Sequence, residues 1–193
     1  MSAAGDTKSQ IIDKASELMM QRGMNGFSYR DISGPLGVKN AAIHYHFPTK
    51  NDLIVALIEE EHDVLRKNTA EFMAYGGSAV TQLNGLFCYT MYQCQNGRPV
   101  CVVGALITDY DSFSDEVKEA NRYFNRELYA WLVRVLEVGR ERGEFEYKGE
   151  PEDKARAIGA TIQGARQLYR VHGEEYLKQV FKQVWLELGI EQS

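Results

Sequence analysis

Apolar side chains recur at intervals of three and four residues along almost the whole chain, which is the spacing of one face of an α-helix. The first such segment covers residues 7–22 and is followed by Gly23, a residue that suits the position just beyond a helix. No segment alternates apolar and polar residues convincingly, although residues 100–103 alone would also fit a strand. The pattern therefore predicts an all-α fold of about nine helices.

The composition is that of a globular protein rather than of a disordered or membrane-spanning chain. Among the 193 residues, 44% are apolar and 25% are charged, close to the averages of folded domains. The sequence contains no run of about 18 uncharged apolar residues, and three cysteines are too few for a disulfide framework. The N-terminal residues lack the apolar segment of a signal peptide, so a cytoplasmic protein is expected.

Charge is distributed unevenly along the chain. The first 50 residues carry six Lys or Arg against four Asp or Glu, whereas the whole chain has a formal net charge of −5. A slightly basic head on an acidic body favours a protein that touches a polyanion with one end only. The basic excess is small and carries little weight alone.

Two short helices near the N-terminus form the most informative pattern. Ser28 is followed three residues later by an acidic residue, which predicts a capped helix that ends at Gly37, where a tight turn needs a positive φ. A second short helix covers residues 40–47, and Ile43 and Phe47, four residues apart, are expected on its buried face. Short helices joined in this way describe a helix-turn-helix, whose second helix enters the DNA major groove.

The same residues carry a resemblance to a known family. The segments FSYRDIS (27–33) and IHYHFPTKNDL (43–53), with the Gly37-Val38 pair between them, resemble the TetR family of bacterial transcriptional regulators. The match covers about residues 8–58. The remaining body resembles the family only in its length and helical, apolar character.

The resemblance implies an all-α homodimer whose subunits have a three-helix DNA-binding head and a larger ligand-binding and dimerisation body. We place the head at residues 7–52 and the body at residues 53–193. Such proteins usually repress transcription by occupying a palindromic operator in double-stranded DNA, and a small molecule in the body releases them. The predicted partners are therefore an operator, an unidentified small-molecule effector and a second copy of the chain, with no enzymatic activity.

The predicted DNA contacts combine the exposed side of the second short helix with neighbouring helix N-termini, where backbone N–H groups favour phosphate. They are Ser28, Tyr29, Arg30, Lys39, Asn40, Ala41, His44, Tyr45, His46, Thr49 and Lys50. For Tyr29, His46 and Lys50, a structural role in the head is the alternative. Because residues two apart point to different sides of a helix, the pair His44 and His46 predicts no metal site, and no cofactor is expected.

Aromatic residues in the body indicate a pocket for a flat or apolar ligand. The predicted lining is Phe87, Met91, Tyr92, Cys101, Tyr110, Phe113, Phe124, Trp131 and Tyr169. A plain packing core is the alternative for each of them. The segment 98–105 also resembles the region that carries a sensing cysteine in some electrophile-responsive members of the family. A cysteine-based electrophile or redox sensor is therefore an alternative function, although apolar neighbours favour an inert thiol at Cys101.

The resemblance implies a dimer interface formed by the last two helices. A mutual interface is also favoured by geometry, because reading a palindrome places two recognition helices about 34–36 Å apart, or a multiple of that distance. The residues assigned to it are Ile158, Ile162, Ala165, Tyr169, Leu177, Phe181, Val184 and Trp185. The sequence leaves open which of these face the chain's own core. The remaining functional alternative is a helical adaptor whose head binds protein. An enzyme is not supported, since no nucleophile–base pair or metal-ligand spacing is present.

Overall fold

The computed structural model describes residues 3–74 and 76–191. All regular elements within these ranges are α-helices or short 3-10 turns. The α-helices are α1 (Ala3–Arg22), α2 (Tyr29–Leu36), α3 (Asn40–His46), α4 (Lys50–Ala74), α5 (Ala79–Gln95), α6 (Val102–Leu106), α7 (Asp115–Glu141) and α8 (Pro151–Glu187). Short 3-10 turns occupy Met24–Gly26 and Tyr110–Ser112. The all-α prediction is confirmed, and the run at residues 100–103 leads into α6 instead of forming a strand.

The number of helices agrees with the nine predicted from the sequence when α8 is counted as two segments. Gly173 has φ 76° and ψ −165°, outside the helical region, and divides α8 into two helical segments. The described ranges therefore hold nine α-helical segments. Helix α1 begins at Ala3, four residues before the predicted start at residue 7. The additional turn, residues 3–6, contains no large apolar side chain, so an apolar repeat gives no sign of it.

The chain folds into two compact units. The first comprises the residues up to Asp63 together with Cys101–Phe124, and the second comprises Val64–Val100 together with the residues from Asn125 onward. In the first unit, α1 packs against α2, α3 and α6. Its core includes the completely buried Ile11, Ile32 and Ile43.

The core of the second unit forms where α5 meets α7 and α8. The ring of Phe87 stacks on that of Phe181, with centroids 4.3 Å apart and planes 6° apart. Trp185 meets Phe87 edge-on at 5.1 Å. Offset and edge-on ring pairs of this kind stabilise a core beyond the apolar area they bury. In the described ranges, none of the helices combines the length and apolar character that crossing a bilayer requires.

Candidate DNA-binding surface

Local hydrogen bonds define the helix α2 and the turn that follows it. The backbone N–H and the hydroxyl of Ser28 donate to Asp31 Oδ2 at 2.8 and 2.7 Å, forming the predicted cap. Gly37 ends the helix with φ 66°, and its N–H donates to the carbonyl of Gly34 at 3.1 Å. Pro35 lies in the last turn of α2, where it leaves the helix intact.

Helix α3 presents one side to the core and the other to solvent. Ile43 and Phe47 are 0% and 2% exposed, which confirms the predicted buried face. Tyr45 is 80% exposed, and Ala41 and His44 are also exposed. A seven-residue helix held by two buried side chains thus carries a row of solvent-facing residues suited to reading base edges.

Tyr29 spans the head from α2 to the loop between α3 and α4. Its hydroxyl lies 2.9 Å from the carbonyl oxygen of Phe47 and 2.6 Å from that of Thr49, so its single proton is shared between these two acceptors. Burial raises the pKa of the Tyr29 hydroxyl to about 12, and the nearby Asp52 carboxylate adds to the shift. The ring also meets His44 edge-on at 4.8 Å between centroids.

Lys50 lies at the start of α4 and points back to the segment before α2. Its Nζ donates to the carbonyl oxygens of Met24 and Phe27 at 2.6 and 2.7 Å. The ammonium also lies 4.4 Å from the centroid of the Phe27 ring, within the range of a cation–π contact. Burial lowers the pKa of Lys50, while the Asp31 carboxylate opposes this shift.

Six of the eleven predicted contact residues surround one groove of about 540 Å³ in the head. Its lining consists of Phe27, Ser28, Tyr29, Arg30, Asn40, His44, Pro48 and Lys50. Arg30 is exposed there, whereas Lys50 is occupied by carbonyl groups. One exposed guanidinium group therefore lies at this groove, and such a group favours a phosphate.

The other five predicted residues lie outside this lining. Lys39, Ala41, Tyr45 and Thr49 are exposed, and His46 is half-buried beside the ring of Tyr45. Thr49 precedes α4 and exchanges hydrogen bonds with Asp52, whose carboxylate accepts from its N–H at 2.7 Å.

Ser33 is a positioning residue that sequence reasoning missed. It is only 7% exposed, and its hydroxyl lies 2.6 Å from Asn40 Oδ1 across the turn. This bond fixes the side chain at the first residue of α3. The only indication of this role in the sequence is that Ser33 is a polar residue on the otherwise apolar side of a short helix.

The residues assigned to a ligand pocket are divided between the two units. Phe87, Met91, Tyr92, Trp131 and Tyr169 lie in the second unit, and Cys101, Tyr110, Phe113 and Phe124 lie in the first. Phe87 and Trp131 belong to the second unit's buried core, whereas Tyr92 is 61% exposed. The indole N–H of Trp131 finds no hydrogen-bond partner among the described residues. Cys101 is buried, and its sulfur accepts a hydrogen bond from the N–H of Gly104 at 3.2 Å.

The residues assigned to a dimer interface are mostly covered by their own chain. Ile158, Ile162, Ala165, Leu177, Phe181, Val184 and Trp185 are each at most 8% exposed, and Tyr169 packs against the same core. The opposite face of α8 is exposed, and its exposed residues between Arg156 and Arg170 carry no charge. It consists of Ala157, Ala160, Thr161, Gly164, Gln167, Leu168 and Val171.

Comparison with known proteins gives a consistent result. A family model described as "Bacterial regulatory proteins, tetR family" matches residues 11–57. The transcriptional repressor KstR2 of Rhodococcus jostii is 26% identical over an alignment of 184 residues, which covers 91% of this chain and 86% of the relative. A TetR-family regulator from Agrobacterium tumefaciens has TM-score 0.91 and 28% identity, covering 96% of this chain and 98% of that one. A TetR regulator from Legionella pneumophila has TM-score 0.85 and 27% identity, covering 94% and 97%.

The capped α2, the Gly37 turn and the exposed side of α3 define a helix-turn-helix DNA-binding protein, and its relatives are transcriptional regulators and not enzymes. Residues 11–57 match the TetR family of bacterial regulatory proteins, and the chain as a whole is similar to TetR-family transcriptional regulators.

Proposed function

We propose that this protein is a repressor that binds a palindromic operator as a homodimer and leaves it when a small molecule binds its body. The observation that carries the proposal is the orientation of α3, where Ile43 and Phe47 are buried while Tyr45 is 80% exposed. Residues 7–52 form the DNA-binding head in this proposal, and residues 53–193 bind the effector and the second subunit.

DNA recognition is divided between two sets of residues. Ala41, His44 and Tyr45 approach the base edges, because they occupy the solvent side of α3. Arg30 and Lys39 are exposed cations beside α2 and α3 and bind phosphate groups, which position the head without reading sequence.

The exposed face of α8, defined above, is the proposed dimer contact. It has Val171 at 73% and Leu168 at 41% exposure, and an added Cβ at Gly164 would meet nothing within 4 Å. The small, uncharged residues between Arg156 and Arg170 allow a second helix to approach this face closely. The isologous contact that results gives the two-fold symmetry that a palindrome requires.

Release by an effector follows from linkage. A small molecule lowers operator occupancy only when it binds the DNA-incompetent state more tightly than the competent one. The coupling is reciprocal, so operator DNA weakens effector binding by the same factor.

The test is fluorescence anisotropy with DNA from immediately upstream of the gene and with a scrambled control, over a series of salt concentrations. The proposal predicts selective binding whose log affinity falls linearly with log salt, because phosphate contacts release counterions. Sedimentation of the complex should give two chains per operator. Absence of binding to either DNA at low salt would favour the adaptor, and equal weak binding would contradict operator recognition in this region.

A further inference from the structure

A groove of about 500 Å³ runs between the second-unit part of α4 and helix α5. This volume lies within the roughly 300–1,000 Å³ typical of small-molecule sites. The α4 side contributes Asn68, Glu71 and Phe72, and the α5 side contributes Asn84, Tyr89 and Tyr92 among others. The groove is thus large enough for a molecule of two or three fused rings.

Charge and aromatic rings together narrow the chemistry of the ligand. Among the described residues that line the groove, Glu71 is the only one with a charged side chain. The rings of Phe72, Tyr89 and Tyr92 line the same space. A carboxylate beside aromatic rings attracts organic cations, because both the negative charge and the negative ring faces stabilise a positive charge. Anionic ligands would meet this carboxylate without a compensating Lys or Arg in the described lining.

The base of the groove is tightly built around Phe72. A Cβ added at Gly85 would lie 2.4 Å from Phe72 Cδ1, so the absence of a side chain there lets the ring lie against α5. The Phe72 ring also lies beside the buried Trp131, with centroids 6.3 Å apart. The groove therefore has a preformed aromatic base, which lowers the entropic penalty of ordering the site on binding.

We propose that this groove binds planar organic cations and that such a cation is the class of effector to which the protein responds. Glu71 supplies the counter-charge, and Tyr92 and Phe72 supply the ring surfaces. Asn68 and Asn84 supply amide groups for polar substituents. The effector role rests on the proposed function, whereas the binding of the cation does not.

Binding is tested on the full-length protein without DNA, with two fluorescent dyes of nearly the same shape. N-methylacridinium is a permanent cation, and acridine is neutral at mildly alkaline pH. We expect the cation to bind about tenfold more tightly than acridine. This is the gain in affinity expected when a positive charge meets an aromatic ring and a carboxylate at a partly exposed site. Equal affinity for the two dyes, or binding of neither because another molecule or a second copy covers the groove, would overturn the proposal.

Variants assign the binding to this groove. Glu71→Gln should abolish the preference for the cation while leaving acridine binding unchanged, since it removes the charge and keeps the shape. Tyr92→Ala should weaken the binding of both dyes. The matched control is Glu60→Gln, which makes the same change at an exposed position of α4 outside the lining. A loss of preference in this control equal to that in Glu71→Gln would contradict the assignment.

The effector role is tested by adding N-methylacridinium to the operator complex. We expect operator affinity to fall for the wild-type protein and for Glu60→Gln, and to stay unchanged for Glu71→Gln. Cation binding without loss of operator affinity would overturn the effector role. A failure of the proposed function would be distinct from both results, because the dye-free protein would then not bind the operator.

Discussion

The ammonium group of Lys50 lies 4.4 Å from the ring centroid of Phe27 and donates to the carbonyl oxygens of Phe27 and Met24. The first residue of α4 is thereby tied to the segment that precedes α2. Lys50 lies beside the groove in the head, but its donors are directed into the protein. These contacts of Lys50 therefore help to hold the head together.

Lys50→Ala should lower the free energy of unfolding by about 1–3 kcal/mol, because it leaves two carbonyl groups without their charged donor. Urea denaturation followed by circular dichroism measures this loss. Lys39→Ala is the matched control, since Lys39 is exposed and caps α3 without a side-chain hydrogen bond. This control should weaken operator binding at unchanged stability. Equal stability of Lys50→Ala and the wild type would refute the structural role.

Tyr29→Phe should lower the free energy of unfolding by about 1–2 kcal/mol, because the carbonyl groups of Phe47 and Thr49 lose their hydroxyl donor. The same change should weaken operator binding, since these carbonyl groups belong to the loop between α3 and α4. Parallel urea denaturation and anisotropy measurements check both effects. An intact operator affinity together with lost stability would separate the loop from DNA recognition.

The stability difference between the wild type and Tyr29→Phe should also depend on pH. The native pKa of Tyr29 is about 12 against an ordinary value of 10.0, so the unfolded chain ionises first as pH rises. The stabilising effect of the hydroxyl is complete below pH 10.0 and declines from there to about 12. Urea denaturation over this range measures it, and the comparison with the variant removes the effects of other tyrosines. A difference that stays constant across the range would contradict the raised pKa.

Tyr45→Ala should weaken operator binding by about tenfold at unchanged stability, because the side chain is 80% exposed on the reading side of α3. Anisotropy and thermal denaturation give the two values. Ile107→Ala serves as the control, as it truncates another exposed side chain of the first unit. Operator affinity that is equal in both variants would refute the assigned position of α3 in the major groove.

Val171→Glu should shift the protein from dimer to monomer, because it places a charge within the exposed apolar face of α8. Sedimentation velocity over a range of protein concentrations measures the shift. Met73→Glu makes the same kind of change at another exposed apolar position and should leave the dimer intact. If the Val171→Glu variant remains a dimer, the interface lies on another surface and the proposed one is wrong.

The sequence predicted the head well because its signals are local. Ser28 and Asp31 form their cap within one turn, and Gly37 takes a positive φ that few other residues adopt, so each identifies a boundary by itself. The contacts of Lys50 lie 23 and 26 residues away in the chain, and such partners follow only from how the helices pack.

The body shows the same division between local and long-range information. The apolar repeat of α8 correctly indicates residues such as Leu177 and Trp185 that are buried, but a repeat does not distinguish a core from a partner. The proposed dimer face that contains Val171 has mostly small residues, which form a weaker sequence pattern than an apolar repeat. The sequence likewise shows that aromatic residues are frequent around Tyr92. It does not show that Glu71 lines a groove with them, because this groove forms only where α4 approaches α5.

Helix α3 has seven residues, well below the roughly 12–15 that an isolated helix needs to persist in water. Its shape therefore lasts only while Ile43 and Phe47 stay packed beneath it. The proposed recognition of the operator by α3 consequently requires the folded head and not the peptide segment alone. If α3 reads the operator as proposed, a copy of this segment grafted elsewhere would unfold without Ile43 and Phe47 beneath it, so core residues that do not touch DNA would help to determine which sequence is read.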